Sequence, residues 1–433
     1  MMDWEQLLRP TRLGSSDIEP ISSDRSPYET DIDRIMFSSA FRRLADKTQV
    51  HGRTGTDYVR SRLTHSLEVS RVARSLGAMA GRVVVDRHLA SSDITGHTIS
   101  HIVQAAALLH DLGNLPFGHH GEEVISDWFH STEMGTHIRA GLPDQVATEM
   151  MNFEGNAQGF RLVSRLQGWR EDDGLELTSP TLATSAKYPR IIDDTIANPV
   201  GAKYSYFASE RHLFDQVARN VGLLPKNGNG WCRHPLAHLL EAADDISYIP
   251  IDIEDGAKLG CLTESEAEDM LRTLAGRDAT DTGIRDDRRL VRLRSLAIQR
   301  LITDAVAAFL DNERQILAGE FPDGLIKQSP IHGQIRHILE ISRDRIYHNE
   351  KRLRQDLRCE RILRNLLEGY GRAFLEWETS PARPTARTDT IIRTLPGAKD
   401  LPRDRETWVR FMMDHISGMT DGFAMSTEEV ISA

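Results

Sequence analysis

Between Ile99 and Leu109 the apolar residues Ile99, Ile102, Val103, Ala106 and Leu109 recur at helical spacing, and the run ends directly on the pair His110-Asp111. Gly113 and Pro116 then stop the helix. A fold containing this stretch must bury a helix along its length and still deliver an imidazole and a carboxylate to its end. Polar capping would account for a lone His-Asp dipeptide. Here Asn114, His119, His120 and Glu122 follow close behind, which points to a built site.

Adjacent His and Asp side chains hold one divalent ion when the backbone presents them together. Imidazole suits transition metals, and carboxylate suits Mg²⁺ and Mn²⁺ as well. Two ligands are too few. His65 opens a second amphipathic helix whose stripe is Val69, Val72, Ala73, Leu76 and Met79, so it points into the same interior. Asp244 stands one turn after Leu240, at the edge of an apolar stripe, where an unpaired carboxylate is costly to desolvate. A shared metal explains its place there.

The set His65, His110-Asp111 and Asp244 resembles the HD phosphohydrolase superfamily. The words around it narrow the resemblance: Arg43-Leu44-Ala45-Asp46-Lys47-Thr48-Gln49-Val50, Ser61 to Val69, Gly113 to His119, Phe153-Glu154-Gly155-Asn156-Ala157-Gln158 and Ala243 to Tyr248. Together they look like the deoxyguanosinetriphosphate triphosphohydrolase (dGTPase) family. Fainter echoes at Lys187-Tyr188-Pro189, Ile346-Tyr347-His348 and Ile416 to Asp421 carry the likeness from about Asp33 to about Ala424.

Composition fits a globular protein, 39% hydrophobic and 27% charged over 433 residues, with no apolar run long enough to span a bilayer. The opening residues Met1-Met2-Asp3-Trp4 lack the basic and apolar regions of a signal peptide. Cys232, Cys261 and Cys359 form no Cys-x-x-Cys pair, so neither a disulfide framework nor a structural zinc site is expected. The expectation is a cytoplasmic protein with no membrane partner. A net charge of −11 argues against a generally basic nucleic-acid surface and still allows a focused positive cleft for a polyanion.

Nearly every clear segment has the helical period. The expected fold class is mainly α, an HD-domain helical fold with additional packed helices. Three parts are expected: an N-terminal surface segment (1–30), a metal-binding HD core (31–253) and a helical C-terminal part packed on it (254–433). The spacing predicts helices over 30–44, 62–80 and 98–111, one beginning at Glu122, and one from Asp144 that continues through Asn152 to Arg165. Others are expected around Asp244, over 293–310, 331–346 and 353–377, and from about Thr407 to about Ile416. Loops are expected at 48–60 (or a small hairpin there), 172–188, 222–235 and 378–404. The charged runs 264–269 and 285–289 read as solvated faces and connections.

Two imidazoles and two carboxylates leave coordination positions for a substrate oxygen or water, as metal-assisted hydrolysis requires. Mg²⁺ or Mn²⁺ suits the carboxylates and a phosphate; with two histidines in the set, Fe²⁺ or another transition ion stays open. His119 and Glu122 share a face at a helix start, so Glu122 can orient His119 and raise its pKa. An imidazole so held suits proton transfer to a departing 5′ oxygen. In the family resembled, the matching pair is catalytic. The resemblance further implies Arg62 on a phosphate, Asn114 and Asn156 lining the phosphate site and Lys187 adding charge. It places Gln49, Tyr248 and Asp252 at the deoxyribose, and Tyr347 near the nucleotide. Pro250 is expected to interrupt the helix between Tyr248 and Asp252.

The expected activity is metal-dependent hydrolysis of deoxynucleoside triphosphates, dGTP first, to deoxynucleoside and inorganic triphosphate by attack at the α-phosphorus. Homo-oligomers (often hexamers) and nucleotide or single-stranded DNA effectors are implied by the resemblance alone. Two rivals stand beside it. One is an HD phosphohydrolase of monophosphates or cyclic nucleotides. The other is a nucleotide-sensing or DNA-binding protein without turnover, whose mark would be a broken ligand or catalytic set.

Overall fold

The computed structural model describes the chain except residues 16, 22–24, 50–59, 169–173, 194–201, 227, 229, 277–287, 323, 348–349, 381–383, 396, 399–401, 403 and 433. Most of the 48–60 segment, His348 and much of the 285–289 run therefore lie outside the described residues. The fold is mainly helical. Among the described residues the named strands are Pro225–Lys226 and Gly230–Trp231, paired antiparallel inside the segment expected to be a loop. No described helix is long and apolar enough to cross a membrane.

Two helices frame the site. Arg62–His88 starts at Ser61, whose side chain accepts the Thr64 N–H, and buries His65, Val69, Val72, Ala73 and Leu76 on one face. Gly96–Leu109 starts in a capping box formed by Thr95 and Thr98, and buries nearly every residue from Ile99 onward. The two pack along most of their length. A helix buried all round must find cover on every side. The Pro27–Phe37, Ser179–Ser185 and Pro235–Lys258 helices supply it.

At the end of the Gly96–Leu109 helix the chain turns through His110 to Phe117 and enters the helix His119–Ser131. Gly113 permits that turn because it lies against the backbone of the next layer. A Cβ there would sit 2.1 Å from both Gly155 O and Gly159 N. The 155–161 helix is also where the expected long helix 144–165 breaks. Asp144–Met151 ends, Glu154 caps a new helix at Gly155, and Leu162–Leu166 widens into a π turn. The apolar spacing continues across the break because both pieces face one core, so periodicity alone does not reveal it.

Other differences lie where the sequence pattern is short or polar. The segment 1–30 is no surface strip: Met2, Trp4, Leu7, Leu8 and Tyr28 are buried, the Trp4 indole donates to Glu313, and Arg12 pairs with the buried Asp31. The polar stretch 172–188 contains the buried helix Ser179–Ser185. Within 378–404, Thr385 caps the helix Ala386–Thr394, and a final helix Asp421–Ser432 follows Arg405–Ser417. Pro250 does not interrupt Pro235–Lys258, which runs through it.

Two hydrophobic cores result. One gathers residues from Met2 to Ile346, including the framing helices. The other joins Leu115 to Phe207 with Cys359 to Ile431. Each takes residues from both sides of position 253. The His110–Phe117 turn lies where the two meet.

Gly113→Ala tests the turn. Both obstructing atoms are backbone and cannot rotate away, so the loss should fall at the upper end of roughly 1–3 kcal/mol for overpacking. The expected reading is a lower urea midpoint at unchanged slope.

Candidate metal centre and catalytic pair

His110 closes its helix with its Nδ1 2.6 Å from the Ala107 carbonyl, which fixes that nitrogen as the donor and leaves Nε2 as a lone-pair nitrogen. Burial lowers the His110 pKa, favouring the neutral ring that ligates metals. The ligand atoms of His65, His110 and Asp111 all lie within 4.8 Å of one another. Asp244 joins through Oδ1, 3.2 Å from His65 Nε2 and 3.6 Å from His110 Nε2.

The donors fit a divalent ion. His110 Nε2 and Asp111 Oδ2 are buried and accept no hydrogen bond among the described residues, a costly arrangement unless something else satisfies them. Burial alone would raise the Asp111 pKa, yet the Arg62 guanidinium 3.0 Å away and the two imidazoles hold it down at about 2. Asp244 is likewise held well below the usual range against burial, chiefly by Lys187, whose Nζ is 2.7 Å from Oδ2. Both carboxylates are held ionised, the form in which a carboxylate ligates a metal.

Arg62 and Lys187 therefore bring fixed cations to the metal group. Asn114 donates its side-chain amide to Asp111 Oδ1. Asn156 donates to Glu154 and lines a small cavity of about 20 Å³ together with His110. On the other side Tyr248 lies edge-on to His65, ring centroids 6.3 Å apart, and stacks with Tyr347 at 5.9 Å. The Tyr347 hydroxyl donates to Asp252, which burial pushes up to about 7. The uninterrupted helix keeps Tyr248 and Asp252 on one face. Gln49 stands beside Thr48, which bridges to Ser61 next to Arg62, and its amide oxygen is buried without a partner among the described residues.

His119 and Glu122 meet as the spacing requires, with Nδ1 3.2 Å from Oε2. That hydrogen bond raises the His119 pKa. The Glu122 side chain is buried and also accepts the Gly155 N–H, while the His119 ring is 72% exposed. Arg62 connects this pair to the metal group. Its Nη1 faces Asp111, and its Nη2 lies where a Cβ on Gly118 would come within 2.7 Å, so only glycine leaves it room.

Sequence reasoning missed several neighbours. Lys203 Nζ lies 3.5 Å from Glu122 and 2.8 Å from Glu154, and with His119 these line one cleft of about 500 Å³. Glu154 sat in a noted word, whereas Lys203 follows a stretch with no periodicity. Lys47 is fully buried, donates to Asn114 O and Ser417 O, and is pulled down to about 7 by burial. His120, given no role, contacts the Asp356 carbonyl at 3.0 Å.

An HD-domain family model matches residues 62–145, the stretch carrying His65, His110 and Asp111. The fold and this pair define an HD-domain phosphohydrolase. A deoxyguanosinetriphosphate triphosphohydrolase-like protein of Synechocystis sp. is 37% identical over 431 residues, covering 97% of either chain. One of Listeria monocytogenes is 32% identical over 98% of either chain. The deoxyguanosinetriphosphate triphosphohydrolase of Serratia proteamaculans is 27% identical over 92% of each. The chain belongs to the dGTPase family.

Glu122→Gln tests the pair. The amide is a weaker partner for an imidazolium, so the His119 pKa should fall, read directly by histidine NMR titration. An unchanged midpoint would disconnect the two residues.

Proposed function

We propose that the chain is a metal-dependent deoxynucleoside triphosphate triphosphohydrolase, with dGTP the first substrate to try. The observation that carries the proposal is the convergence of unsatisfied ligand atoms on His110 and Asp111 with two fixed cations and a hydrogen-bonded His-Glu pair. His65, His110, Asp111 and Asp244 would hold the ion, Mg²⁺ or Mn²⁺ in the first instance. Bound there, it supplies Lewis-acid polarisation of a phosphate oxygen and an activated water.

The chain's own residues do the rest. Arg62 and Lys187 offset the triphosphate charge, with Asn114 and Asn156 beside them. Water adds to the α-phosphorus, and the bond from that phosphorus to the 5′ oxygen breaks. The imidazolium of His119 gives its proton to that oxygen, and Glu122 holds the ring and stabilises its charged form. Because Glu122 raises the His119 pKa, activity should persist above the ordinary histidine range and fall as pH rises through the raised value. Products are a deoxynucleoside with a free 5′ hydroxyl and inorganic triphosphate. Gln49, Tyr248, Asp252 and Tyr347 form the sugar side, where a stacked tyrosine pair disfavours a 2′ hydroxyl by shape. Homo-oligomers, hexamers in the family's manner, and nucleotide or single-stranded DNA effectors belong to the same proposal.

The test is anion-exchange separation of products from each of the four dNTPs and from GTP, with Mg²⁺ or Mn²⁺ and a His110→Ala control. Inorganic triphosphate plus deoxynucleoside, lost in the variant, is the expected result. Orthophosphate or pyrophosphate would sink the proposed bond cleavage. A His110→Ala protein that still binds Mn²⁺ as tightly as the parent, by isothermal titration, would sink the ligand set.

A further inference from the structure

The word Ile416 to Asp421 carries no role in the chemistry above, yet it reaches the site. Asp421 is buried, and its carboxylate takes three hydrogen bonds from two distant segments. Oδ2 accepts from the Thr48 N–H at 3.0 Å and the Thr48 hydroxyl at 2.5 Å, and Oδ1 accepts from the Phe117 N–H at 3.0 Å. Phe117 has φ 65° and Gly118 φ 69°, so this is the sharpest bend of the turn and comes immediately before His119. Thr48 comes immediately before Gln49, whose buried amide oxygen has no partner among the described residues. Next to these contacts, Lys47 Nζ bridges Asn114 O and Ser417 O at 2.6 and 2.7 Å, and Arg43 donates to Gly418 O.

We propose that Asp421 is a positioning residue of the active site, a carboxylate from the last part of the chain that holds the Thr48–Gln49 segment and the Phe117–Gly118 bend in one register. Through Thr48 it sets Gln49; through Phe117 it sets His119. An anion suits the task because three donors converge on two oxygens and none of the three contacts needs a donor from Asp421. An asparagine there offers one acceptor oxygen and turns an NH₂ group towards a donor. The kinetic part of this inference rests on the proposed triphosphohydrolase reading, whereas the register itself does not.

Asp421→Asn, Gln49→Ala and the double variant are compared as a cycle, with Thr48→Val as a second way to loosen the same contact should Asp421→Asn fold poorly. Displacing a positioned group by about an ångström costs up to about 100-fold. Asp421→Asn should therefore lose about 10- to 100-fold in kcat/KM on the best dNTP. The double variant should lose less than the product of the two single losses, because the part of the Asp421→Asn loss that runs through Thr48 to Gln49 is already gone in Gln49→Ala. Thr48→Val should lose less, in the same direction. Hydrogen exchange gives a readout independent of turnover: the Thr48 and Phe117 amides should be protected in the parent and exchange faster in Asp421→Asn at unchanged protection of the Gly96–Leu109 helix. Folded Asp421→Asn with parental kcat/KM would overturn the positioning role, and losses that multiply in full with Gln49→Ala would overturn its route through Thr48 to Gln49. If the parent turns over no dNTP, the function proposal falls, and exchange alone decides this one, unchanged amide protection overturning it.

Discussion

The structure depends on how it keeps two carboxylates ionised, the buried Asp111 and the half-buried Asp244. Asp111 and Asp244 are placed at the inner end of a helical layer, where burial by itself would push both towards protonation. Arg62 and Lys187 reverse that, each against one carboxylate, and each is itself largely withdrawn from water. Two carboxylates against two cations leave the centre near neutrality with His110 uncharged. A divalent ion among the four ligands would then give it an excess of positive charge, suited to a polyanion. Removing Arg62 would strand the buried Asp111, at about 3–5 kcal/mol. The same groups thus stabilise the centre and, in the proposed reaction, would also meet substrate charge, and a net charge of −11 over the chain does not oppose them at this range.

This arrangement explains why the remote C-terminal helices matter to a site built in the first half of the chain. The His110–Phe117 turn has buried backbone groups that no regular element satisfies, and an unpaired buried donor costs about 1–3 kcal/mol. Lys47 takes the Asn114 carbonyl, and Asp421 takes the Phe117 N–H. Deeper in, Asp414 accepts from both Gln158 and Arg161, tying the Gly155–Arg161 helix behind Gly113 to Arg405–Ser417. The turn is held by side chains whose own positions are fixed by the second core.

Much of this was legible in the sequence where period and chemistry agreed. The framing helices, the His110-Asp111 pair at a helix end, His65 on an inward stripe and the His119–Glu122 spacing all follow from local rules. The placement of Asp244 beside His65 followed from the cost of an unpaired carboxylate. What stayed hidden was polar and nonlocal. Ser179 to Thr184 look like a loop because hydroxyls dominate, and they are buried through partners elsewhere, such as the Thr184–His234 and Asn220–Ser179 hydrogen bonds. Trp4, Leu7 and Leu8 were too few for a pattern, and their burial depends on a surface formed some 300 residues later at Glu313. Lys203 stands alone in sequence, and Lys47 figures only as part of the Arg43 to Val50 word; lysines are most often exposed, and only tertiary placement gives these two their partners. Pro250 misled in the opposite sense, since a packed helix of this length absorbs one missing donor.

The contrast between His119 and Glu122 carries the chemical logic one step further. In the proposed reaction the proton donor must reach its acceptor, and the His119 ring is open to the cleft. A carboxylate that sets the donor's pKa is most effective away from water, where its field is least screened, and Glu122 is buried. Such a carboxylate has to be kept ionised, and burial works against that. The His119 contact, Lys203 and the Gly155 N–H together lower its pKa against burial. Lys203 also binds Glu154, whose carboxylate burial and the Glu122 charge raise. The pair is therefore one end of a chain of four alternating charges, His119, Glu122, Lys203 and Glu154. Neutralising either of the last two would reach the proton on His119 without touching it, which makes the electrostatics of the cleft wall part of the acid's strength.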